Sequence, residues 1–132
     1  MIHIFDKKGF VKIHSLEGDT LAGVDLSNAN LAEANLIQVD LRNTNLKHAN
    51  LSNADLRLAN LSGADLSHAN LSHCDLSGAN LAGANLTGAD MTATVMAGTS
   101  IALATLATAN LDDEEIMTKI KLHNSDDKKQ RR

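Results

Sequence analysis

A leucine returns at every fifth residue through most of this chain, and that interval limits the possible folds more than any other feature. Steps of five from Leu21 reach Leu26, Leu31, Leu36 and so on to Leu111, nineteen centres in all. Sixteen are Leu, and the others are Met91, Met96 and Ile101. Two residues before a centre the chain favours Ala, as at Ala29, Ala34, Ala49 and Ala54. One residue before it, Asn or Asp is the rule, as at Asn30, Asn35, Asp55 and Asp65. The two residues after each centre are mostly Ser, Gly, Ala, Thr, His or Asn.

A period of five suits neither a straight helix nor a straight strand. Five helical residues advance about 500°, so a Leu stripe would spiral around the axis. On a strand, an odd step throws successive leucines onto opposite faces. The pattern is satisfied when each unit is a short extended piece followed by a corner, with Ala in, Asn or Asp out, Leu in, and two turning residues. One small and one large inward residue per unit keep a narrow core from overfilling. Corners at regular intervals close the chain into a coil, and coils stack at the ~4.8 Å spacing of paired strands. Each buried Leu contributes about 1.5–3 kcal/mol, while ordering one unit costs several, so only the stack is stable. An all-β solenoid is therefore expected, with Leu26, Leu46, Leu66 and Leu86 in its core. Leu66→Asp should unfold it, whereas Ser67→Asp, at an outward corner, should be nearly silent.

Composition supports a repetitive core. Phe5 and Phe10 are the only aromatic residues, both precede the repeats, and Pro, Trp and Tyr are missing. Rings therefore do not fill the interior. The net charge is −4, with the excess in the middle: Asp25, Glu33, Asp40, Asp55, Asp65, Asp75 and Asp90 outweigh Arg42, Lys47 and Arg57. A mildly acidic middle argues against direct nucleic-acid binding, which needs a basic patch. Cys74 is alone, so no internal disulfide forms. No apolar run reaches the length of a signal peptide or a membrane span, and the expected location is the cytoplasm, without a membrane partner.

The runs ANLAEANL (29–36), ADLRLANLSGADLSHANL (54–71) and ANLAGANLTGADM (79–91) resemble the pentapeptide-repeat family, whose motif is A(D/N)LXX. The resemblance covers about residues 19–111. It implies a bacterial repeat protein with four units per coil in a right-handed quadrilateral β-helix, here a little under five coils and ~23 Å long. Two departures stand out. No centre is Phe, which many family members place there, and Thr94-Val95-Met96 and Thr99-Ser100-Ile101 replace the usual triplet, so the last coil is expected to be looser.

The ends read as caps. Residues 1–18 suggest a hairpin, with Ile2-His3-Ile4-Phe5 and Phe10-Val11-Lys12-Ile13 flanking the loop Asp6-Lys7-Lys8-Gly9. Residues 112–122 suggest a short helix, acids in its first turn and lysines near its end. Residues 123–132 are charged and read as a mobile tail.

Candidate sites are few. His48 and His68 are twenty residues apart and should stack, with His73 one side further along, but no third ligand falls in register for a metal. Cys74 occupies an Ala slot, where it is a small buried filler rather than a nucleophile beside His73. Asp55 and Asp75 should stack as turn-adjacent groups bonded to backbone. Asn30, Asn50, Asn70 and Asn110, interrupted by Asp90, suggest a structural ladder. No catalytic constellation, cofactor motif or metal motif is present, and a core of Leu and Ala leaves no ligand cavity.

The expected role is a non-enzymatic scaffold for protein–protein interaction. Its possible surface is Arg42, Lys47, His48, Arg57, Leu58, His68 and His73, which interrupt the Ser/Gly/Asn background, and its state is a monomer or an end-to-end dimer. An alternative implied by the resemblance is a DNA mimic that binds a type II topoisomerase such as DNA gyrase. A weaker third reading is binding to an ice lattice, for which Thr87 and Thr92 would need to be ranked along one face.

Overall fold

The computed structural model describes residues 1–102 together with Thr105, Thr108 and Ala109. The helix expected at 112–122 and the tail at 123–132 lie outside the described residues. Within them, parallel bridges link residues twenty apart, from Asp25–Asn45 through Asp40–Asn60 and Asp65–Asn85 to Asn80–Ser100. One coil is therefore four five-residue units, and equivalent units lie directly over one another.

The unit around Leu51 shows why this sequence takes this form. Asn50 N–H donates to Ala29 O of the preceding coil (2.9 Å), and Leu51 N–H to Asn70 O of the following one (2.8 Å). Asn53 N–H reaches Ser72 O, and Ala54 N–H closes the turn onto Leu51 O. One donor remains, Ser52 N–H, and the Asn50 side chain accepts it at 3.0 Å. All five backbone donors are thus satisfied, as burial demands. The residue before the centre must carry an acceptor oxygen three bonds beyond its Cα, which explains the preference for Asn and Asp. The same side-chain bond recurs from Asp25 to Asp90.

The corner explains the rest of the unit. The second residue after each centre from Leu21 to Met96 has positive φ, as type II turns require of their third residue. Gly supplies it at Gly23, Gly63, Gly78, Gly83, Gly88 and Gly98, but ten described positions are not Gly, including Glu33, His48, Leu58, His68 and His73. None of the ten is β-branched, the class for which this region is most costly.

The core is one column of aliphatic side chains. Every centre from Leu21 to Met91 is buried, and Met96 and Ile101 are partly buried against them. The paired small position is Ala at most units. Where it is polar, the hydroxyl is paired internally: Thr44 donates to Leu41 O (2.8 Å), Thr94 to Met91 O (2.9 Å) and Thr99 to Leu76 O (2.6 Å). The degenerate triplets at 94–96 and 99–101 hold the same ladder. Val95 N–H meets Cys74 O and Ser100 N–H meets Ala79 O at ordinary distances, 2.9 and 3.0 Å.

Two strands precede the coils, β1 (Ile2–Phe5) and β2 (Lys12–Leu16), paired antiparallel. The second strand starts at Lys12 rather than Phe10. Asp6 is the reason: its carboxylate accepts from Phe10 N–H (2.9 Å) and Val11 N–H (3.1 Å), holding residues 6–11 as a closed loop. A register shift between Ile4 and Phe5 leaves Ile13 as the extra residue. Beyond β1 the chain bonds to the edge of the first coil, Lys7 N–H to Glu33 O and Asn35 N–H to Phe5 O. Ile4 is buried in the leucine core.

Candidate interaction surfaces

With twenty residues per coil, the rod has four corners, numbered here by the centre that precedes each. Corner I follows Leu41 and Leu61, corner II Leu46 and Leu66, corner III Leu51 and Leu71, and corner IV Leu56 and Leu76. The seven residues singled out by the sequence do not share one patch. Arg42 is on corner I, Lys47, His48 and His68 are on corner II, His73 is on corner III, and Arg57 and Leu58 are on corner IV.

Corner II brings two of them into contact. The His48 and His68 rings stack at 5.2 Å between centroids and 12° between planes. Asp65 is close by: its carboxyl is held below the ordinary range chiefly by the Ser67 hydroxyl and N–H, with Lys47 and His68 adding to the effect. Among the described residues, no three His, Cys, Asp or Glu side chains converge to hold a metal ion. Ser67, expected to be outward, is only 4% exposed. Its hydroxyl is turned onto Asp65 Oδ1 at 2.6 Å, so the side chain lies along the wall and not out in solvent. That corrects the expectation of a silent Ser67→Asp.

Arginine charge at corners I and IV is already engaged. Arg42 forms a two-point pair with Asp40 (Nε–Oδ1 2.9 Å, Nη2–Oδ2 2.8 Å). Arg57 does the same with Asp55 (Nη2–Oδ2 2.7 Å), and Asp75 also raises the pKa of its guanidinium. Asp75 itself accepts from Ser77 N–H and Oγ. The Asp55/Asp75 column is therefore wall structure, tied down by turns and one arginine.

Leu58 has no such partner. It is 56% exposed and holds φ 60°. Its side chain leans toward the next coil, where a methyl group on Gly78 would stand 2.7 Å from Leu58 Cδ2. His68 leans over Gly88 in the same way. Cys74, by contrast, is fully buried; its thiol donates to Leu51 O, and burial pushes its pKa up to about 12. A thiol so protonated is a poor nucleophile. Thr87 and Thr92 each turn their hydroxyls back onto the preceding Asx residue, at Asn85 and Asp90.

One surface escaped the reading of the repeats. At the hairpin loop Phe10 is 87% and Val11 55% exposed, and Phe5 on the outer side of β1 is 41% exposed. The available signal was that both aromatic residues stand outside the repeat, among Lys7, Lys8 and Lys12.

The sequence matches the family model described as Pentapeptide repeats, in eight copies over residues 21–57 and 59–98, the two segments parting at Leu58. A comparison with curated proteins finds no match. Among solved structures the chain is similar to alr5209, a pentapeptide repeat protein from Nostoc PCC 7120, at 45% identity with a TM-score of 0.56. That alignment covers 57% of this chain and 62% of the Nostoc protein, so the chain spans under two thirds of that relative's length. It is also similar to Rfr23, a pentapeptide repeat protein from the cyanobacterium Cyanothece 51142, at 35% identity, covering 74% of this chain and 72% of that one with a TM-score of 0.44. The chain belongs to the pentapeptide-repeat family, whose members form right-handed quadrilateral β-helices.

Proposed function

We propose that the protein is a non-enzymatic scaffold that docks a protein partner on corner IV, through Arg57 and Leu58, in the cytoplasm. The observation that carries this reading is Leu58: a bulky apolar side chain, half exposed, in a backbone conformation that disfavours it. Strain of about 1–2 kcal/mol at such a position is tolerated where the side chain has a use. The neighbouring corner positions in its column are Gln38, Gly78 and Gly98, so Leu58 stands alone as an anchor. Corner II, with Lys47 and the His48/His68 stack, and His73 on corner III are secondary contact points for a partner large enough to reach round the rod.

The DNA-mimic reading is weaker on charge. B-DNA carries one charge per ~1.7 Å, about 13 over ~23 Å. This chain has a net charge of −4, and Arg42 and Arg57 neutralise Asp40 and Asp55 in place.

The test is cross-linked capture from host lysate with wild-type protein, Leu58→Asn and the exposed control Ala82→Lys. Asn tolerates positive φ, so Leu58→Asn removes the apolar group without adding strain. A partner held by wild type and the control but lost by Leu58→Asn supports the docking site. A partner retained by all three rejects it. Recovery of a topoisomerase, with inhibition of supercoiling by the purified protein, would favour mimicry instead.

A further inference from the structure

The N-terminal hairpin presents a surface that the rod itself does not use. Its inner side supplies Ile4 to the core, with Ile2, Ile13 and Leu16 packed against it. On its outer side Phe5 pairs with Lys12 across the strands, and His3 meets Phe5 edge-on at 6.3 Å between ring centroids. Beyond that pair the loop exposes Phe10 and Val11. Neither of the chain's two aromatic residues fills the core, and an apolar ring in water gains free energy only when something covers it.

The loop keeps its shape without a partner. Asp6 N–H donates to Val11 O and Gly9 N–H to Asp6 O, while the Asp6 carboxylate accepts from Phe10 and Val11 N–H. Those bonds turn the one acid of the loop inward onto its backbone. Lys8 and Lys12 are exposed, with no ion pair among the described residues. Lys7 N–H donates to Glu33 O, which sets Lys7 beside the only carboxylate on corner III, the corner that follows Leu31. Projecting at that corner are therefore two free ammonium groups, one ring and one branched aliphatic side chain.

That combination selects among possible partners. A specific protein interface takes about 20–30 residues a side and packs them into complementary pockets. A projecting loop of residues 6–11 falls far short of that. Single-stranded nucleic acid stacks successive bases on several rings along a basic groove, and Phe10 with an aliphatic neighbour offers a place for one base. A bilayer interface needs no complementary shape. Apolar side chains enter the headgroup boundary while the lysines beside them meet anionic lipid. The remainder of the described chain sets the orientation. Residues 13–102 carry nine acids against three bases, so an anionic surface repels the rod and attracts its N-terminal end. A peripheral contact needs no span, and among the described residues no helix is long and apolar enough to cross a membrane.

We propose that the hairpin loop is a membrane-contact tip. Phe10 and Val11 enter the interface of an anionic bilayer, and Lys8 and Lys12 bind its headgroup charges, holding the rod by its N-terminal end. The contact is weak, reversible and sensitive to salt. It leaves Leu58 on corner IV accessible and is independent of docking there.

Vesicle flotation of the full chain tests this. Phosphatidylcholine vesicles are compared with vesicles containing about 30% phosphatidylserine, at up to about 10 mM lipid and at about 20 mM against about 500 mM salt. Expected is flotation with the anionic vesicles at low salt, little with phosphatidylcholine alone, and release at high salt. Lys8→Gln/Lys12→Gln should lower the partition coefficient about thirtyfold, since each lysine contributes about fivefold near an anionic surface. Phe10→Ser should lower it at least about tenfold with the melting temperature unchanged, and Leu58→Asn should leave it unaltered. The chain has no Trp or Tyr, so Phe10→Trp supplies a single fluorophore at the tip. Emission from that variant should shift to the blue when anionic vesicles are added. Absence of flotation with both vesicle types overturns the proposal. So does binding that survives Lys8→Gln/Lys12→Gln and Phe10→Ser, or emission that stays at the wavelength of an exposed indole while the protein floats. Binding to a single-stranded oligonucleotide without binding to vesicles rejects the bilayer in favour of nucleic acid.

Discussion

At the scale of single residues, the Asx position does the most structural work per atom. Its side-chain oxygen serves the one backbone N–H in each unit that neither a neighbouring coil nor the turn's own carbonyl satisfies. Val95 occupies that position without an oxygen and is half exposed. Val95→Asn should give Ala97 N–H an acceptor and raise stability by about 0.5–1.5 kcal/mol, read from urea unfolding. Asn is preferable to Asp because Val95 stacks on Asp75. Burial sets a second pair of outcomes. Leu66→Asp places a carboxylate in a fully buried column and should abolish cooperative folding. Ser67→Asp sets a carboxylate against Asp65 where the hydroxyl now donates, and should cost about 2 kcal/mol or more. Ala82→Lys, on an exposed corner, should stay within about 0.5 kcal/mol of wild type.

At the scale of elements, corners interact along columns rather than around coils. A side chain on one coil leans over the equivalent residue of the next, and Gly meets it there: Leu58 over Gly78, His68 over Gly88, Asn43 over Gly63. Gly78→Ala carries two penalties, a positive φ of 69° and contact with Leu58 Cδ2. Gly83→Ala, at φ 71°, carries only the first, since its nearest neighbour is Gly63 N at 3.8 Å. Both should lose about 1 kcal/mol, with Gly78→Ala the larger loss. A double-mutant cycle separates the two effects: with Leu58→Asn in place, Gly78→Ala should cost no more than Gly83→Ala. Equal losses in both backgrounds would mean that Leu58 moves aside freely.

For the whole molecule, the stack couples its carboxylates to acid stability. Asp25, Asp40, Asp55, Asp65 and Asp90 all titrate below the ordinary value of 3.8, mainly through side-chain bonds to Ser27, Arg42, Arg57, Ser67 and Thr92. Asp6 is lowered by backbone donors, Val11 first. Because these folded pKa values lie below the unfolded value, their stabilisation is complete above about pH 4 and is lost as pH falls through them. The melting temperature should therefore be flat between about pH 7 and pH 5 and fall below about pH 4, as followed by circular dichroism. A melting temperature that held steady to pH 2 would show that the Asx bonds persist when protonated.

The period of five, with its small inward residue, its Asx and its leucine, determined the coil. One large and one small side chain per side can fill only a narrow prism, and one side-chain oxygen per unit completes its hydrogen bonding. Those requirements are local, so they are legible in order along the chain. The positive φ at each corner was legible in principle too, in the absence of Val, Ile and Thr from that position between residues 23 and 98. Which outward residues meet was not legible to the same degree, because it depends on the twenty-residue register and on where each side chain leans. Arg42 and Leu58 are neighbours in a list but stand on different corners. Ser67 is outward in the pattern yet buried by its own bond to Asp65. Phe5 and Phe10 are apolar and precede the rod, which suggests a plug, yet only the tertiary structure decided that Ile4 fills the core. The Asp6 carboxylate closes the loop so that Phe10 and Val11 face solvent, a choice made by a single bonding group that no periodicity records.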